Sequence, residues 1–64
     1  MSTREDLASQ LTEERMSDRE RSSAAFAARA AMRAGRDYEH AFRQLVAAWG
    51  HKADVPELLA AAGY

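Results

Sequence analysis

Between Asp37 and Gly50 the chain reads DYEHAFRQLVAAWG, and no other stretch limits the fold so tightly. Tyr38, Ala41, Phe42, Leu45, Val46 and Trp49 recur at steps of three and four, the spacing that lines one side of an α-helix. Glu39, His40, Arg43 and Gln44 fall mostly on the other side. Several of the bulkiest apolar side chains are concentrated here, so the spacing predicts a core helix against which the remaining segments pack.

How much core those segments can add is limited by what they are made of. A chain of 64 residues buries only about 60% of the surface it exposes when unfolded. Alanine supplies 15 of the apolar positions, and it favours helix strongly while contributing little buried area. No cysteine is present, which excludes disulfides and thiolate metal sites. A thin core is therefore expected, with a second copy of the chain or a larger protein supplying the missing burial.

Upstream of the central helix, Ser2 and Glu5 have capping-box spacing and predict a helix beginning at Thr3. Leu7 and Leu11 are its only large apolar residues before Met16, and ten of the first 23 residues are charged. So polar a segment is either a solvated helix laced with charge pairs or a tail that folds on contact with a partner. Ser17 and Glu20 repeat the capping spacing and offer a restart there. Against it, no proline or glycine interrupts Thr3 to Ala34, which favours one continuous rod or a gentle kink. Residues 22–34 are mostly alanine, with Phe26 and Met32 as the large apolar groups, and small side chains let a neighbouring helix approach closely.

Gly35 is placed to end this helix in the left-handed conformation and Asp37 to cap the next, so the two form an αα-hairpin. Gly50 is expected to close the central helix in the same way. Asp54, Pro56 and Glu57 then predict an N-cap, a first-turn proline and a second capping box for a short helix over 55–62. Val55, Leu58, Leu59 and Ala62 form its apolar face, and Tyr64 is positioned to fold back over the core. The fold class read from these signals is all-α: a long charged N-terminal helix paired with the central amphipathic helix and closed by a short C-terminal one. The chain is expected to be one small helical domain over 1–64, charged over 1–23 and packed over 24–64. Its core is expected from Tyr38, Phe42, Leu45, Val46, Trp49, Leu58 and Leu59.

The chemistry-bearing residues point away from catalysis. Asp37 and His40 share a helical face, but a metal site of that kind needs further inward carboxylates, and the surrounding stripe is aromatic and aliphatic. His51 follows the end of the central helix, where a cation meets the helix dipole favourably. No phosphate-cradling glycine loop and no nucleophile arrangement is present, so no enzyme activity, cofactor, metal or small-molecule substrate is expected. No run approaches 18 apolar residues and the first ten lack an apolar leader, so the expectation is a cytoplasmic protein that does not enter a membrane.

The formal net charge of -1 offers no bulk attraction to nucleic acid. The arginines are nevertheless concentrated upstream. On an unbroken rod, Arg4, Arg15, Arg19, Arg29, Arg33 and Arg36 fall within roughly a 100° sector. The last helix, PELLAAA, has no Arg, Lys, Asn or Gln for base edges, so it does not suit a DNA groove. These features lead to the expectation of a non-catalytic interaction module, a regulatory or accessory subunit that self-associates or docks on a larger protein. Leu7, Leu11, Phe26 and Met32 would form its apolar ridge, and Arg15, Arg19, Arg29, Arg33 and Arg36 its charged rim. The alternative is a small DNA-associated regulator of the repressor or antitoxin kind, with the arginines on phosphates. A metal-binding bundle comes third.

Overall fold

Leu7 and Met16 stand nine residues apart, half a turn out of phase on a continuous helix, so a straight rod can turn only one of them inward. The chain resolves the conflict by breaking the rod. A computed structural model describes residues 2–64 and contains α1 (Thr3–Ala8), α2 (Asp18–Arg33), α3 (Tyr38–Trp49) and α4 (Val55–Ala61). The expected continuous helix from Thr3 to Ala34 is thus two helices joined by a non-helical segment, and both Leu7 and Met16 are buried. The small all-α bundle is otherwise as read, with no strand among the described residues.

Each boundary has a local cause. Ser2 caps α1 by accepting from the Glu5 N–H. At the restart, the Ser17 hydroxyl accepts from the Glu20 N–H at 3.2 Å, and the Glu20 carboxylate accepts from the Ser17 N–H at 2.8 Å. This complete capping box outweighs the absence of a breaker upstream. Gly35, with φ of 75°, ends α2 in a Schellman motif: its N–H donates to the Met32 carbonyl and that of Arg36 to the Ala31 carbonyl. The Asp37 carboxylate then accepts from the His40 N–H at 2.8 Å and starts α3. Gly50 departs from expectation: its φ of 90° and ψ of 178° are an extended, glycine-only conformation rather than a left-handed cap.

The segment between α1 and α2 is held by the loop between α3 and α4. The Thr12 N–H donates to the His51 carbonyl at 2.8 Å, and the Ala53 N–H donates to the Glu14 carbonyl at 2.7 Å. Lys52 Nζ reinforces the alignment with a 2.9 Å bond to Glu14. A stretch that gives the core only Met16 and part of Leu11 therefore satisfies its backbone against another loop.

Around this tie, α3 lies at the centre, packing against α1, α2 and α4, while α2 and α4 also pack on each other. Phe42, Leu45, Leu58 and Leu59 are buried as expected, with Tyr38, Val46 and Trp49 partly buried against them. Ala24, Ala28 and Ala31 face inward from α2. The expected apolar ridge, however, is dispersed. Leu7 is core, Leu11 and Met32 are half-buried, and only Phe26 is outward. Phe26 is also the one large hydrophobic residue left exposed among those described.

Leu7→Ala is accordingly expected to destabilise the fold by about 3 kcal/mol, the range for emptying a buried leucine site. Urea unfolding checks this, since an outward docking leucine would leave the midpoint unmoved.

Candidate functional site

Asp54 is the one buried polar residue among those described, with its side chain fully shielded from solvent. The sequence places it as the cap of α4, but it makes no side-chain cap bond there. Its carboxylate faces the other way. One oxygen accepts from the Met16 N–H at 3.2 Å and the other from Arg21 Nη1 at 2.7 Å. Arg21 Nη2 also donates to Glu57, and Arg15 lies 3.7 Å from the same glutamate, so the expected Asp54–Glu57 capping box is replaced by a tie to α2.

Burial by itself would raise the Asp54 pKa. The Met16 N–H, the Arg21 guanidinium and the Asp54 backbone N–H outweigh it and hold the carboxyl below the ordinary aspartate value. Arg21 is held correspondingly more firmly protonated by Glu57 and Asp54. Because each charge has its partner, no buried side-chain nitrogen or oxygen among the described residues lacks a hydrogen bond. The cluster is a fastening, since its donors and acceptors are already occupied.

A second group joins the two ends of the described chain. The Arg4 guanidinium sits 4.2 Å from the Tyr38 ring centroid, and Nη1 donates to the Tyr64 main-chain oxygen at 2.9 Å. Tyr64 meets Tyr38 edge-on at 6.0 Å, and its hydroxyl donates to the Arg36 carbonyl at 2.8 Å. Burial raises the Tyr38 pKa, with Arg4 opposing. Arg4 has therefore left the expected stripe, and so has Arg15, which lies in the non-helical segment.

The histidines and the cleft offer less. His40 and His51 are exposed, and no three of the described His, Asp and Glu side chains converge as metal ligands. A cleft of about 170 Å³ lies beside α3, lined by Gln10, Phe42, Arg43, Val46, Ala47 and His51. Ligand pockets usually span roughly 300–1,000 Å³, so this cleft is smaller than the usual range. No described helix is long and apolar enough to cross a membrane.

What remains is the outer face of α2. Turning 100° per residue, Arg19, Phe26, Arg29 and Arg33 share a sector of roughly 120° with Ser22, Ser23 and Ala30, opposite the inward Ala24, Ala28 and Ala31. All seven are exposed, and no carboxylate falls within the sector. Phe26 is 67% exposed at its middle. Arg19, Arg29, Arg33 and the adjacent Arg36 form no salt bridge among the described residues, unlike Arg15, Arg21 and Arg43. The structure thus retains Phe26 from the expected ridge and Arg19, Arg29, Arg33 and Arg36 from the expected rim, and it brings them together. No protein-family model matches the chain, and no curated protein or solved structure matches it either.

Arg21 and Asp54 were not among the candidate residues. One signal for Arg21 was present: it lies in phase with Ala24, Ala28 and Ala31, so the stripe of α2 that must face inward carries a charge. Its partner was hidden because an aspartate before Val-Pro-Glu reads as a cap.

Three outcomes follow from this geometry. Since the Asp54 pKa is lower in the folded than in the unfolded state, its stabilisation is complete above the ordinary aspartate pKa of about 3.9 and is lost as pH falls through the folded value. Asp54→Asn should flatten that acid limb in pH-dependent urea unfolding, and Asp54→Ala should cost about 2 kcal/mol at neutral pH, discounted because Arg21 is 33% exposed and rehydrates. Phe26→Ser, by contrast, should change stability by no more than about 0.5 kcal/mol in the same assay.

Proposed function

We propose that the chain is a non-catalytic interaction module, a regulatory or accessory subunit of the cytoplasm, that binds another macromolecule through the outer face of α2. The observation that carries this reading is the position of Phe26, the one large apolar side chain kept out of the core, in the middle of a face whose charges are all arginine. Leaving a phenylalanine in water forgoes about 1.5–3 kcal/mol of burial, and every other large apolar side chain among those described is at least partly buried. Aromatic and arginine side chains together are the usual energetic centre of a protein interface.

A second reading, contact with nucleic acid phosphates, draws on the same arginines. Arg19, Arg29, Arg33 and Arg36 have no carboxylate partners, and the planar guanidinium fork suits phosphate as well as carboxylate.

Replacing Phe26 with a photo-crosslinking phenylalanine analogue, in cells that make the protein, tests the first reading. A discrete light-dependent adduct is expected, lost when Arg29→Glu and Arg33→Glu are added. If position 26 forms no adduct, the α2 face is not a binding surface. A low-salt mobility shift of DNA or RNA, abolished by the same two substitutions, would transfer the assignment to the second reading.

A further inference from the structure

We infer that the partner of α2 is an acidic amphipathic helix of another protein, packing across Phe26 and placing carboxylates against Arg19, Arg29 and Arg33. The inference rests on the reading of this face as a binding surface and adds the chemistry of what covers it. Ser22, Ser23 and Ala30 surround Phe26 with short side chains, so a helix laid across α2 brings its own apolar residues down beside the ring. The arginines stand further out along the axis, with Arg19 and Arg33 about 21 Å apart. Their charge is unmatched on their own chain, because the sector contains no carboxylate. A partner that buries the phenylalanine must therefore bring the anions, or it leaves guanidinium groups desolvated without partners.

A second copy of the chain fits this face poorly. Phe26 lies midway between Arg19 and Arg33, so an antiparallel pair of α2 helices centred on it sets Arg19 of each against Arg33 of the other. A parallel pair sets every arginine against its counterpart. Both gather six guanidinium groups, with no carboxylate nearer than Asp18 at the margin of each face. Nucleic acid fits less well than an acidic helix for different reasons. The face is convex, it offers one ring rather than a stacking series, and the chain as a whole carries a formal charge of -1.

The test uses the whole protein and three synthetic probes. The first is a helical peptide of about 20 residues with leucines on one stripe and glutamates elsewhere. The second is the same peptide with lysine in place of glutamate, and the third is a single-stranded oligonucleotide. Binding is followed by fluorescence anisotropy, and its location by NMR shifts of the α2 amides and the Phe26 ring. The acidic peptide is expected to bind and to shift the outer face of α2, with affinity falling as salt is added. Phe26→Ala should weaken it about tenfold and Arg29→Glu with Arg33→Glu about a hundredfold, the helical circular dichroism being unchanged.

Equal binding of the lysine peptide, shifts confined to another face, or tighter binding of the oligonucleotide would each overturn the inference. So would sedimentation showing a dimer that Phe26→Ala dissolves. If the acidic peptide fails while crosslinking from position 26 persists, the binding surface stands and its acidic partner does not; if both fail, the surface itself is withdrawn.

Discussion

A carboxylate sealed from water needs compensation on every side, and the way Asp54 obtains it fixes the arrangement of the whole chain. Its hydrogen-bond partners come from two places: the Met16 N–H from the segment before α2 and Arg21 from the first turns of α2. Satisfying both requires the segment before α2 to lie along the loop before α4. The hydrogen bonds from Thr12 to His51 and from Ala53 to Glu14 are the same requirement met by the backbone. An apolar residue at position 54 would pack, but it would not specify which loop lies beside which.

With that registration set, the apolar residues divide cleanly. Leu7 and Met16 reach the core because the chain is not helical between them, and the alanines of α2 let it sit close against its neighbours. A chain with so little large apolar surface has almost none to leave outside, which gives the exposure of Phe26 its weight. The arginines are sorted in the same way. Those near the tie, Arg15 and Arg21, are matched to Asp54 and Glu57, Arg4 is laid over Tyr38, and the outer face of α2 keeps the unmatched ones.

The helices with local signals were legible in the sequence. Capping residues at Ser2, Ser17 and Asp37, the glycine after α2 and the apolar stripe of α3 all act over four or five residues and leave their mark there. The break between α1 and α2 was legible only in part, because its cause is the tertiary pairing of residues 12–16 with 51–54, and neither partner announces the other. Asp54 shows the same limit: its local context describes a cap, and a contact 33 residues away takes its side chain instead. For the candidate site, Phe26 and the α2 arginines were identified, but their separation from Leu7 depended on knowing that the rod is broken. What distinguishes a surface residue from a core residue here is distant packing rather than periodicity.

The contacts that close the fold also bear on when it can form during synthesis. Arg21 meets its carboxylate only once residue 54 has been made, and Arg4 meets its acceptor only once residue 64 has. As the ribosome adds residues in order, α2 emerges with its guanidinium unanswered and its alanine stripe uncovered. The native arrangement of α1 and α2 therefore waits on contacts with residues made well after them.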